Sequence, residues 1–139
     1  MRSLALDVGE KGIGLAMSDA DGLMAHPRGA LVRKGEEKDI EAILGMIKAE
    51  GVEGVVVGLP RSLNGSLGPQ ARTILAFVEA LKGKAPVPVE LWDEKLSTAE
   101  AERLLLEAGH RRPSKERLDA AAATIILQGY LDHRRPRKL

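Results

Sequence analysis

One carboxylate interrupts an otherwise apolar run near the start of the chain: Asp7, in Leu4-Ala-Leu-Asp-Val-Gly9. Leu4, Leu6 and Val8 alternate with Ala5, Asp7 and Gly9, and successive strand residues point to opposite sheet faces. The pattern sets Asp7 among small residues on one face. Burying a carboxylate without compensation is costly, so the position calls for a metal ion, a cation or backbone donors. The plain alternative is a hydrogen bond to a turn amide. Two further acidic positions extend the set. Asp93 and Glu94 follow an apolar strand, where the chain is expected to leave the sheet, and Asp119 directly precedes Ala120-Ala-Ala-Ala123, a helix surface able to pack closely on a sheet. Each has an ordinary explanation: a first-turn helix acid for Asp93 or Glu94, an exposed helix charge for Asp119. Together, acids from a strand, a strand end and a helix can converge on one hard cation. Oxygen-only ligands favour magnesium or manganese over zinc, and no histidine pair suggests a zinc site.

Composition bounds the chemistry. A chain of 139 residues suits a single domain, and 44% hydrophobic residues is ample for its core. The absence of cysteine excludes disulfides, a thiolate nucleophile and zinc-cysteine sites, and suits a reducing cytoplasm. No apolar run approaches the roughly 18 residues of a membrane span, and Asp7, Glu10 and Lys11 interrupt any signal-peptide core. Phe77, Trp92 and Tyr130 are the only aromatics. Stacking of bases on rings is therefore a poor expectation, and a nucleic acid would be read through its backbone.

The formal net charge is only +1, but the basic residues are unevenly placed. His110-Arg-Arg-Pro-Ser-Lys-Glu-Arg117 carries four positive charges against one negative, and His133-Arg-Arg-Pro-Arg-Lys138 carries four with no acid. The second reads as a basic tail over 133–139. The first precedes Asp119, and cations beside a carboxylate site suit a polyanionic substrate; Arg111, Arg112 and Lys115 are its candidate phosphate contacts.

These residues need a frame. Ser3–Val8 and Ile13–Ser18 read as strands around a Gly9–Gly12 turn, and Asp21-Gly22 as a turn before a third strand, Leu23–Val32. Pro27 and Gly29 suggest that this strand lies at an edge or carries a bulge. Ile40, Ile43, Leu44 and Ile47 then mark one helix face ending near Gly51. Val55-Val-Val57 is a buried parallel strand, followed by a glycine-rich loop, Gly58–Gly68, whose alternative is a plain connection. Ala71, Ile74, Leu75, Val78 and Leu81 form a second helical stripe, and Val87–Trp92 a fifth strand with Pro88 at its start. Ser97 with Glu100 forms a capping box ahead of a stripe through Ala108, and a last helix runs from about Ser114 to Asp132. The order predicts an α/β fold: one mixed five-stranded sheet, three antiparallel strands then βαβαβ, flanked by helices. Ligands in such sheets gather beyond the carboxyl ends of the strands, near the Gly58–Gly68 loop and Asp93-Glu94.

The motifs together resemble a known family. Asp7-Val-Gly9 with Lys11 and Gly14, Val57-Gly-Leu-Pro60 with Asn64-Gly65, Asp93-Glu-Lys-Leu-Ser-Thr98, and Asp119 through Leu127-Gln128 with Tyr130-Leu131 are similar to the YqgF/RuvX family. These are Holliday-junction-resolvase-like nucleases of the ribonuclease H superfamily. The resemblance implies a ribonuclease H-like domain over 1–139 and a cytoplasmic hydrolase maturing the 5′ end of pre-16S ribosomal RNA. It carries the family's acids onto Asp7, Glu94 and Asp119, as catalytic residues and ligands of Mg2+ or Mn2+. Two departures stand out. The family usually has Thr-Lys-Arg where this chain has Glu10-Lys11-Gly12, and an arginine where Lys95 stands.

The mechanism so implied is phosphodiester hydrolysis with two ions about 4 Å apart. Lys11 and the loop bearing Gly58, Asn64 and Gly65 would hold the scissile strand. Other readings differ in substrate or class. A Holliday-junction resolvase would apply the same chemistry to branched DNA, as a two-fold dimer. A sugar kinase or actin-like ATPase shares the Asp-x-Gly hairpin but needs two such domains. A binding module would keep the acids without using them. No membrane partner is expected, and the oligomeric state is open.

Overall fold

The computed structural model describes residues 1–60, 68–94 and 115–134; the side chains of Pro60, Glu94 and 115–117 lie outside that description. The elements are β1 (Ser3–Val8), β2 (Gly12–Ser18), β3 (Ala25–Val32), α1 (Glu36–Glu50), β4 (Gly54–Pro60), α2 (Pro69–Lys82), β5 (Val89–Glu94) and α3 (Lys115–Arg134). The strands form one five-stranded sheet in the order β3-β2-β1-β4-β5. β2 pairs antiparallel with both β1 and β3, while β4 is parallel to β1 and to β5. The expected mixed sheet is what the chain forms. The carboxyl ends of β1, β4 and β5 therefore share one sheet edge with the amino end of β2.

Strand alternation divides the side chains between two cores. Leu4, Leu6, Ile13, Leu15, Val55 and Val57 face α1 and α2, packing on Ile40, Ile43, Ile74 and Phe77. The alternate residues Ala5, Ala16 and Val56 face α3, where they meet Ala123, Ile126 and Leu127. The first face is built from large aliphatics, each contributing about 1.5–3 kcal/mol when fully buried. The second is lined by small residues, which lets α3 lie close to the backbone. β1 and β2 are consequently covered on both sides, a setting in which near-continuous apolar runs are expected.

Local chemistry explains where the elements differ from the sequence pattern. β3 begins at Ala25, not Leu23, because Asp19 takes over the preceding turn: its Oδ1 accepts from the Leu23 amide at 2.8 Å. Gly22 there has φ 72°, which favours glycine. β3 is an edge strand and also carries a register irregularity opposite Gly14/Ala16, near Gly29 (φ 83°). β5 begins at Val89 because Pro88 has no N–H; the Pro88 carbonyl still accepts from the Val55 amide at 2.9 Å. Asp93 and Glu94 are not beyond the strand, as expected, but its last two residues, opposite Leu59 and Pro60. The capping box at Ser97 and its helix lie outside the described residues.

α3 runs two residues further than expected, through His133 and Arg134, which the sequence pattern grouped with the tail. Contacts hold them: the His133 ring sits 5.3 Å from Trp92, and Arg134 Nη1 donates to Tyr130 Oη at 2.8 Å. Farther up the helix, Gln128 Oε1 accepts from the Ala25 amide at 2.9 Å, while its Nε2 donates to the Leu23 carbonyl at 3.1 Å. One side chain thus fastens α3 to the start of β3.

Candidate active site

Asp7 is the penultimate turn-ward residue of β1, and its cross-strand partner is Gly14 of β2. Both belong to the face that α3 covers. At Gly14 the helix lies directly against the strand. A Cβ placed there would overlap the Asp119 carbonyl and lie 3.0 Å from Asp119 Cβ. A Cβ on Gly12 would lie 3.3 Å from Asp119 Oδ2. Directly opposed residues of an antiparallel pair hold their Cβ positions about 5 Å apart, so Asp7 and Asp119 have Cβ atoms within about 8 Å of one another. Glycine at 14 lets the Asp119 backbone lie directly on β2, and glycine at 12 leaves room for the Asp119 carboxylate. Both carboxylates are half-buried.

β5 adds the third position. Glu94 alternates in phase with Glu90 and Trp92, and these two meet α3: Tyr130 Oη donates to Glu90 Oε2 at 2.7 Å, and Trp92 packs edge-on to Tyr130 at 6.0 Å. Burial, then the Glu90 carboxylate, push the Tyr130 phenol above its ordinary range. Asp93 falls on the opposite phase, paired with Leu59 of the α1–α2 core, and is exposed. Glu94 shares the register phase of the α3-covered face; its carboxylate lies outside the described residues. Among the described residues, no three His, Cys, Asp or Glu side chains gather closely enough to hold a metal ion. The nearby pair is Asp7 and Asp119, a hard-oxygen donor set suited to magnesium or manganese rather than zinc.

The remaining expected site residues separate. Lys11 is exposed at the tip of the β1–β2 turn, which closes through the Gly9 amide and the Gly12 carbonyl at 2.9 Å. It stands at the same sheet edge as the acids. Gly58 is a strand residue and not part of the loop that was expected to begin with it. It is buried within β4, and a Cβ there would collide with Ile126 Cδ1, so its missing side chain makes room for α3. Asn64, Gly65, Arg111 and Arg112 lie outside the described residues, as does the side chain of Lys115. An open pocket of about 190 Å3 lined by Met1, Ser3, Gly22, Leu131 and Arg134 lies at the other sheet edge, away from the acids.

Two residues that the sequence pattern passed over border the site. Arg33 Nη1 donates to the Gly9 carbonyl at 2.8 Å, and Arg33 Nε donates to Asp39 Oδ2 at 2.7 Å. Asp39 is only 3% exposed. The single sequence signal was an acid in the first turn of α1, which is ordinarily a solvent-facing position.

Among the described residues, no helix is long and apolar enough to cross a membrane. A family model described as RuvX, Holliday junction resolvase, matches residues 1–133. A relative from Clostridioides difficile (strain 630) is 48% identical over 132 residues, 94% of each chain. One from Halothermothrix orenii is 45% identical over 134 residues, 96% of each. Both are provisionally named pre-16S rRNA nucleases. In fold, the chain is similar to Thermus thermophilus RuvC in complex with a Holliday junction substrate (TM-score 0.61, 18% identity, 96% of this chain and 95% of that one). It is also similar to the fowlpox virus Holliday junction resolvase (TM-score 0.57, 12% identity, 96% and 99%). The fold is ribonuclease H-like, and with the family model spanning nearly the whole length, the chain belongs to the RuvX family of resolvase-like proteins.

Proposed function

We propose that this protein is a divalent-metal-dependent nuclease that hydrolyses phosphodiester bonds in pre-16S ribosomal RNA, in the cytoplasm. The observation that carries this reading is the approach of Asp119 to Asp7 across the bare backbone of Gly14. A helix acid and a strand acid meet at the sheet edge where Glu94 also ends its strand. The family membership and the relatives' names support the substrate class. Asp7, Glu94 and Asp119 would hold two Mg2+ or Mn2+ ions. When bound, a divalent ion supplies an activated water and stabilises the leaving oxygen.

The chain's own residues do the rest. Three acids on rigid elements orient the ligand oxygens, since sites built on strands and helices hold geometry better than sites on loops. Gly14 lets α3 bring Asp119 down beside Asp7, and Gly12 leaves room for the Asp119 carboxylate. Lys11, Asn64 and Gly65 would bind the scissile strand, and Arg111, Arg112 and Lys115 would neutralise flanking phosphates.

Incubation of purified protein with labelled single-stranded RNA and with a four-way DNA junction, each with and without manganese, tests the reading. Manganese-dependent RNA cleavage that Asp7→Asn abolishes supports it. Symmetric cutting of the junction with intact RNA would instead favour the resolvase activity named by the family description. No cleavage of either, with retained RNA binding, would favour a binding module.

A further inference from the structure

The geometry points to Arg33 and Asp39 as a positioning pair that sets the β1–β2 turn and so places Lys11 for the substrate backbone; this rests on the nuclease reading above. One residue holds two of the turn's carbonyls. The Arg33 amide donates to the Lys11 carbonyl at 3.0 Å, and its Nη1 donates to the Gly9 carbonyl at 2.8 Å. Arg33 stands one residue beyond β3, whose final residue Val32 pairs with Gly12. The turn is thereby tied across from the neighbouring strand at both of its flanks.

Arg33 is itself held from two helices. Asp39 of α1 accepts from Arg33 Nε at 2.7 Å through Oδ2 and from the Lys34 amide at 3.0 Å through Oδ1. Phe77 of α2 lies beneath the guanidinium, 5.4 Å from ring centroid to Cζ. Burying such a pair is weak evidence of a gain in stability, because desolvation offsets the attraction. Its fixed fork instead suits geometry: Nε and Nη1 point to different partners in one plane. Lysine cannot reproduce this, having one ammonium and no planar fork. Asp7 lies in β1 two residues before Gly9, the first residue of the turn. The pair therefore links α1 and α2 to the edge that carries the acids and Lys11.

The test uses Arg33→Lys, Lys11→Met and the double variant, each in an Asp7→Asn background that prevents cleavage. Binding of a labelled single-stranded RNA is measured against salt, and amide exchange is followed at Gly9 and Arg33. Arg33→Lys keeps the charge beside Asp39, so its folding should survive. Faster exchange at both amides is expected. RNA affinity should fall by about tenfold and the salt slope by roughly 0.7, as for Lys11→Met, and the double variant should lose no more than either single one. A purely structural role would leave the salt slope unchanged. Additive losses, an unchanged slope, or wild-type exchange at the two amides would each overturn the inference. The nuclease reading fails separately, if Asp7→Asn cleaves as well as wild type.

Discussion

Gly14 and Asp119 touch backbone to backbone, with no room for even a methyl group between β2 and α3. This contact brings Asp119 beside Asp7.

Gly14→Ala should therefore be costly to both stability and activity. The new methyl would meet a helix carbonyl, which cannot swing aside. Overpacking typically costs about 1–3 kcal/mol, and here the loss should reach the upper end or beyond. Gly58→Ala makes a useful comparison, because its methyl meets Ile126 Cδ1, the flexible end of a side chain. Thermal melts should show the larger drop for Gly14→Ala, and only that variant should also lose most of its cleavage. Equal drops would mean that α3 is free to lift from the sheet.

Asp7→Asn and Asp119→Asn should each lower manganese-dependent cleavage by orders of magnitude while the fold survives. Groups that act as a unit are non-additive, so the double variant should be hardly worse than either single one. Binding of an ion to the folded state alone raises its melting temperature. Added manganese should thus stabilise wild type, and much less so either variant. An undiminished shift in Asp7→Asn would place the ion elsewhere.

Glu94 and Asp93 should behave oppositely. Glu94→Gln is expected to abolish cleavage, whereas Asp93→Asn, on the exposed opposite phase of β5, should leave it within a few-fold. Single-turnover rates for the two variants decide this. Matching losses would show that β5 does not keep its alternation to its last residue.

Asp19 predicts a pH dependence remote from the active edge. Hydrogen bonds from the Leu23 amide above all, with Met24, Gly22 and the His26 charge adding, hold its carboxyl below the usual 3.8 despite some opposing desolvation. A depressed value means that its stabilisation is present above the unfolded pKa and lost as pH falls through the folded one. Asp19→Asn should flatten the acid side of the stability curve below about pH 4. A wild-type-minus-variant difference that stays constant across melts from neutral to acid pH would count against this.

The site was legible in sequence wherever one local pattern carried it. Alternation in Leu4–Gly9 put Asp7 on the small-residue face, and four alanines marked where α3 could approach. Other features depend on contacts between distant segments. The start of β3 moved because Asp19 caps a turn that Leu23 seemed free to extend, and Gly58 looked like part of a phosphate loop until Ile126 was found over it. Arg33 and Asp39 escaped for the same reason. An arginine after a strand and an acid in a first helical turn are each unremarkable until the fold brings them together.

Gln128 gives α3 a second fastening, nine residues after Asp119. At about 1.5 Å per residue, that is a span of roughly 13 Å between two fixed pegs on the sheet. One residue added or removed between them would rotate the far end by about 100°, freeing either the acid or the amide. The spacing between Asp119 and Gln128 is thus a ruler that evolution cannot lengthen or shorten, whereas changes of length ahead of the helix leave it untouched.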